Sequence, residues 1–141
     1  MEETFHRDLE IGKQVERNHL ELIQKKWSDA YVVEGYCKEW DIFVPSMNMG
    51  IEIKSDQKSQ FTGNLVVEIE FNGKPSALLT TKANYWIFFT GKKSICVDVD
   101  DLKKLVTNFK PVKFIAKGDT KQKTAYLIPQ KFIEDIQTFI L

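Results

Sequence analysis

Asp41 and the run Glu52-Ile53-Lys54 are the residues whose types and spacing could do chemistry. On a strand, Glu52 and Lys54 share one face while Ile51 and Ile53 point the other way. On the preceding segment Trp40, Ile42 and Val44 make the apolar face, and Asp41 points away from it. A hairpin folded around Pro45-Ser46-Met47-Asn48 then pairs Val44 with Met49, Ile42 with Ile51 and Asp41 with Glu52. A slip of one residue would bury the acids, so this register is well specified. Directly opposed carboxylates, their Cβ atoms about 4.5–5.5 Å apart, repel each other. A divalent cation removes that repulsion, and hard oxygen donors suit Mg²⁺ or Mn²⁺. The expectation is a metal site with Lys54 beside it.

Other elements must hold that hairpin. The spacing predicts a helix over residues 5–27 with the stripe Leu9, Gly12, Glu16, Leu20, Ile23, Trp27. Glu16 interrupts this stripe. Either it is buried and needs a partner or a metal, or the helix is slightly rotated and Glu16 sits at the boundary beside a lysine. Strands are expected over 31–37, 40–44, 49–54 and 64–71, with an exposed polar loop over 54–63 and a turn at Asn72-Gly73. Residues 76–84 could form a short helix leading into the apolar run 85–89, which fits a strand buried on both faces. A strand over 94–99 follows, then a helix capped by Asp100 through about 107. Capping explains Asp98, Asp100 and Asp101 better than metal binding does. Residues 112–116 and 124–128 read as a second hairpin, and Pro129 opens a last amphipathic helix carrying Phe132, Ile133, Ile136 and Phe139. The order implies one α/β domain with a mixed sheet.

Composition narrows the function classes. With 141 residues, 43% of them apolar, the chain can bury a real core as a single soluble domain. No apolar run approaches the ~20 residues of a membrane span, and the acidic start does not resemble a signal peptide. Cys37 and Cys96 are read as buried thiols of a reducing, cytoplasmic compartment rather than a disulfide or zinc pair. His6 and His19 are expected on the surface of the first helix. Twenty basic and 20 acidic residues cancel, which argues against bulk electrostatic binding of nucleic acid. Only Arg7 and Arg17 are arginines, so bidentate base reading is not expected as the main activity.

A helix bearing Glu16, a strand aspartate at Asp41, a turn, and Glu52-x-Lys54 on the next strand together resemble the PD-(D/E)xK nuclease superfamily. Gly12 ahead of Glu16, Trp40-Asp41-Ile42 and Ile51-Glu52-Ile53-Lys54 fit the usual surroundings, although Trp40 stands where the motif's name expects proline. The similarity covers about residues 5–90. The runs around Thr62-Gly63-Asn64, Ser76 and Thr81 to Trp86 look similar to a compact branch found in phage and mobile-element proteins. The resemblance implies a restriction-endonuclease-like αβββαβ core with a mixed central sheet flanked by helices. The C-terminal hairpin and helix would be added decoration.

It further implies an Mg²⁺-dependent deoxyribonuclease acting on DNA phosphodiesters. Asp41 and Glu52 would hold the metal, the Ile53 carbonyl would be an extra ligand, and Glu16 would act directly or through water. Lys54 would orient the attacking water and stabilise charge growing on phosphorus. Ser76, Thr81 and Lys82 stand where a helix N-terminus and hydroxyls could hold phosphate, though capping by Ser76 or Thr80 explains the hydroxyls equally well. Gln57, Lys58 and the 117–123 tip could flank a duplex, and Glu68, sharing a face with Glu70, could supplement the metal shell. Cutting both strands would favour a homodimer, for which residues 138–141 offer an apolar tail that could equally complete the core. The alternative is a catalytically silent domain of the same fold, used for nucleic-acid binding or assembly.

Overall fold

In the computed structural model, residues 2–36, 38–116 and 118–141 are described, with side chains from His6 onward. Expectations for Cys37 and Lys117 lie outside the described residues.

Helix α1 (Glu2–Gln24) leads into the short strand β1 (Tyr31–Val32), then β2 (Ile42–Val44) and β3 (Met49–Ser55). A short helix α2 (Ser59–Thr62) precedes β4 (Asn64–Phe71) and β5 (Lys74–Pro75). The chain returns through β6 (Tyr85–Phe89), β7 (Ser94–Asp98), α3 (Val99–Val106), β8 (Val112–Ile115), β9 (Gln122–Pro129), α4 (Gln130–Asp135) and β10 (Gln137–Ile140). Two sheets result, a mixed one ordered β1-β2-β3-β6-β7-β10 and an antiparallel one ordered β5-β4-β9-β8. In the mixed sheet β3 and β6 run parallel, and the other pairs are antiparallel.

The apolar run of β6 is buried on both faces as its sequence requires. Trp86 and Phe88 join a cluster with Leu65, Val67 and Ile128 of the second sheet, together with Leu102 and Ile133 of α3 and α4. Ile87 points the other way, into a cluster with Ile42, Ile51, Cys96 and Ile23 of α1. Each strand residue thus belongs to one core or the other by parity alone. The Cys96 thiol is buried, and burial pushes its pKa up to about 12.

Several expectations are corrected. The first predicted strand is only two residues long, and Trp40 does not share the Ile42 and Val44 face. It stacks on Phe43 at 5.2 Å and packs toward the second sheet, over Gly50, where any Cβ would fall inside the indole. Residues 54–63 are not an open loop throughout, because Ser59 is buried at the start of α2. Residues 76–84 make one 3₁₀ turn, Ala77–Leu79, rather than a helix. Thr80, Thr81 and Asn84 are poor helix formers, and Ala77 already sits at φ +44°. The crossover from β3 to β6 therefore runs through the second sheet. The α3 cap is Asp98, whose carboxylate accepts the Asp101 N–H, with Asp100 and Asp101 in the first turn. Helix α4 stops at Asp135. Phe139 belongs to β10, the edge strand, where it meets Trp27 and Tyr85. Among the described residues no helix is long and apolar enough to cross a membrane.

Helix α1 also seats differently from the expected stripe. Leu20, Ile23 and Trp27 pack on the core as expected, the last beyond the helix end, but Leu9 and Gly12 are exposed and His19 is buried beside the stripe. His19, expected on the surface, is 2% exposed. Its Nδ1–H donates to the Val15 carbonyl at 2.7 Å, which leaves Nε2 to accept from the Ser94 hydroxyl at 2.7 Å. Burial lowers its pKa below the ordinary 6.5, outweighing the Val15 hydrogen bond that raises it. The unfolded chain then binds the extra proton first, so the stability His19 contributes is full above pH 6.5 and is lost as pH falls below it. Urea unfolding at pH 7.5 and at pH 5.5 should show this loss in the wild type, and His19→Asn should remove most of it. Equal pH slopes in the two proteins would rule the buried neutral imidazole out.

Candidate functional site

The β2–β3 ladder pairs Val44 with Met49 and Ile42 with Ile51 as expected, with Phe43 opposite Gly50. The expected Asp41–Glu52 pair does not form, and Asp41 lines a hollow with Ile53 while Glu52 lines another with Lys54. A 3₁₀ turn, Pro45–Met47, closes it, with Asn48 at φ +46° and Asp29 accepting from the Ser46 N–H and hydroxyl at 2.6 and 2.9 Å. At the other end the ladder stops, and Asp41 is the residue where it stops. The Asp41 N–H donates to the Ile51 carbonyl and its own carbonyl accepts from the Val33 N–H, both at 2.9 Å. Its Oδ2 accepts the Ile53 N–H at 2.7 Å. A side chain thus satisfies the backbone donor that β2 leaves behind as it departs from β3.

Three groups converge on one nitrogen beside this carboxylate. Lys38 Nζ lies 3.2 Å from Glu16 Oε1, 3.4 Å from Asp41 Oδ1 and 3.2 Å from the Val33 carbonyl oxygen. Burial alone would lower the Lys38 pKa. The hydrogen bonds and charges of Glu16 and Asp41 together outweigh it and hold the pKa above the ordinary 10.5. Glu16 is therefore at the boundary with a lysine partner. Lys38 was not singled out from the sequence, since it falls in an irregular stretch where no periodicity shows which way it points.

Glu52 and Lys54 do share a face, opposite Trp86 and Phe88 of β6. Lys54 Nζ sits 2.7 Å from Glu52 Oε2 and 4.7 Å above the Trp86 ring. The Trp86 indole N–H donates in turn to Thr81 Oγ1 at 3.3 Å. Glu52 and Lys54 line a cleft of about 370 Å³ together with Lys38, Glu68, Thr81 and Lys82. Asp41 and Glu16 line a neighbouring hollow of about 310 Å³ between α1 and β3, with Ile53 and Ser55. The hollows differ in their acids, and Lys38, in the cleft, reaches across to both Glu16 and Asp41.

The expected residues are thus partly gathered. Among the described residues no three His, Cys, Asp or Glu side chains are grouped closely enough to hold a metal ion, so Glu16, Asp41 and Glu52 do not form one ligand set. Thr81 and Lys82 reach the cleft, where Lys82 pairs with Glu39 at 3.5 Å. Ser76 donates to Glu68 Oε2 at 2.8 Å, so its hydroxyl neither caps the 3₁₀ turn nor stands free for phosphate. Gln57 is not among the cleft residues and packs beside Gly91. Glu68 and Glu70 do not share a face, because a bulge between them sets Glu68 opposite Ala125 and Glu70 opposite Thr124.

No protein-family profile, curated protein or solved structure shows significant similarity to this chain.

Replacing Lys38 leaves two half-buried carboxylates facing each other without their counter-ion. Lys38→Met should cost about 1–3 kcal/mol at pH 7, between an exposed and a buried ion pair. Because the Lys38 pKa is raised, the difference from wild type should hold up to about pH 10.5 and shrink above it as the wild-type ammonium titrates. Chemical denaturation of both proteins from pH 7 to 11 measures this, and a variant as stable as wild type would show the triad to be idle.

Proposed function

We propose that this protein is a divalent-metal-dependent deoxyribonuclease built on a restriction-endonuclease-like core. Helix α1 lying against β1, β2 and β3, followed by β6 parallel to β3, supports that core, although the crossover is a small sheet instead of a helix. One observation carries the functional reading. The Asp41 carboxylate is fixed by hydrogen bond to the backbone between Glu52 and Lys54, so the aspartate and the Glu-x-Lys run act as a single structural unit.

The donor chemistry fits a hard cation. Glu16, Asp41 and the Val33 carbonyl already share one positive charge, the Lys38 ammonium. Glu16, Asp41 and Glu52 are not grouped as one ligand set. For Asp41, Glu52, the Ile53 carbonyl and Glu16 to hold Mg²⁺ or Mn²⁺, the Glu52 side chain would have to turn from its cleft toward the Asp41–Glu16 pair. The ion would supply Lewis acidity and a water of lowered pKa. Lys54, held against the Trp86 ring and Glu52, keeps its ammonium aimed into the cleft, where it orients the attacking water and stabilises phosphoryl charge. Lys82 and Thr81 face the same space and would position the phosphodiester.

A second reading has its own support. Lys38 and Lys54 already pair with Glu16, Asp41 and Glu52, leaving one net negative charge among the five groups, so the acids can be tolerated with no metal at all. That favours a silent nucleic-acid-binding or assembly domain of the same fold.

Supercoiled, linear, branched and single-stranded DNA, each incubated with Mg²⁺, Mn²⁺ or EDTA, separates the two. Metal-dependent cutting should fall at least about a hundredfold in Lys54→Ala, the loss typical of removing a group that stabilises transition-state charge. Calorimetric Mn²⁺ titration should show weaker binding by Asp41→Asn. Ion binding without cutting of any substrate would select the silent domain, and unchanged affinity in Asp41→Asn would remove that residue from the site.

A further inference from the structure

The second sheet carries a pattern that the cleft does not use. Phe71 of β4 stands opposite both Lys74 of β5 and Lys123 of β9, and Lys123 stands opposite Phe114 of β8. Direct cross-strand partners share a face, so Lys74, Phe71, Lys123 and Phe114 form one row across all four strands. Cation and ring alternate along it. The row lies on the face turned away from the core. In β9 the core side is Tyr126 and Ile128, and Lys123 alternates with them alongside Leu127, which is 43% exposed. Lys74 is exposed, while Phe71, Lys123 and Phe114 are half-buried.

This face runs into the cleft. The bulge after Glu68 keeps Glu68 on the same side as Phe71. Its Oε1 lies 3.8 Å from Lys123 Nζ, and its side chain also lines the cleft with Glu52 and Lys54. The Lys123 ammonium is 5.9 Å from the centroid of the Phe71 ring, so the row's charge and its π-surface are presented together.

We propose that the outer face of the antiparallel sheet is a platform for single-stranded nucleic acid, passing an unpaired strand toward the cleft. This deepens the nuclease reading and rests on it for the class of ligand. Phe71 and Phe114, two strands and so about 10 Å apart, offer stacking surfaces for unpaired bases. Lys74 and Lys123 complement the phosphates between them. A duplex keeps its bases stacked on one another and cannot lay them on these rings, so the row selects unpaired strands. The neutral net charge of the chain accords with this, because stacking needs less charge than tracking two phosphate backbones.

The test is fluorescence anisotropy of the full chain with labelled oligothymidylate, oligouridylate and a DNA duplex of equal length, in EDTA so that no metal chemistry intervenes. Single strands should bind more tightly than duplex, and either sugar supports the platform, a preference telling DNA from RNA. The double variant Lys74→Glu, Phe114→Ala should weaken single-strand binding at least about fivefold. Phe114→Tyr, which keeps the ring, should bind as wild type does, and thermal melting checks that each variant folds. Each lysine removed should lower the slope of log affinity against log salt by about 0.7. Unchanged affinity in the double variant, or tighter binding of duplex, overturns the platform. The two readings fail separately. Metal-dependent cutting with no effect of the double variant leaves the nuclease and removes the platform. Binding that depends on the row, with no cutting under any metal, does the reverse.

Discussion

A strand that leaves its partner exposes a row of backbone donors, and something must take them up. Here β2 separates from β3 after Ile42 and Ile51, and the Asp41 carboxylate accepts the Ile53 N–H that the ladder no longer reaches. An unmade bond at that half-buried position would cost roughly 1–3 kcal/mol, so the aspartate is held there by the folding of the hairpin itself. The consequence reaches beyond β2. With Asp41 fixed against β3, Lys38, three residues earlier, is drawn between Asp41 and Glu16, and the end of the irregular segment after β1 is tied to α1. The opening between β2 and β3 is thus at once a structural necessity and the place where charge collects.

The second constraint is the approach of Trp40 to Gly50. The indole occupies the volume that a side chain on Gly50 would need, and it packs onto the cluster shared with the second sheet. Asn84 secures the other side of the same residue, its Oδ1 accepting the Gly50 N–H at 2.8 Å and its N–H donating to the Gly50 carbonyl at 2.8 Å. These contacts fix where β6 begins beside β3, hence where Trp86 lies under Lys54. The excursion between the two strands then sets Glu68 on the rim of the cleft through its hydrogen bond from Ser76.

The hairpin register was legible because its information is local and has period two: Ile42, Val44, Met49 and Ile51 can face one core only in one pairing. The doubly buried β6 and the Asn72-Gly73 turn were legible for similar reasons, the turn having both residues at positive φ, +53° and +77°. Trp40 was misplaced because alternation was carried back past the first paired residue, where the strand had already ended. The second sheet was hidden because pairing β4 with β9 joins residues far apart in sequence, such as Leu65 and Ile128, and no local signal encodes it. His19 looked like a surface residue by type. Its burial depends on Ser94, which supplies the hydrogen bond that makes a neutral imidazole tolerable. Lys38 could have been found only by asking which cation answers Glu16.

That question bears on how the fold tolerates three half-buried acids near one another. Glu16, Asp41 and Glu52 are all half-buried, and like charges so placed would loosen the fold that gathers them. Each instead has an ammonium within 3.4 Å, Lys38 for the first two and Lys54 for the third. The two lysines differ in what else they hold. Lys38 is anchored also to the Val33 carbonyl, whereas Lys54 rests on an aromatic face and opens to the cleft. A cation entering between the acids would therefore compete with Lys38 for Glu16 and Asp41, since like charges cannot share so small a space. Lys54 would lose only its hold on Glu52 and keep its seat on Trp86. The architecture thus separates a lysine shared by two acids from a lysine that pairs with a single acid over an aromatic ring.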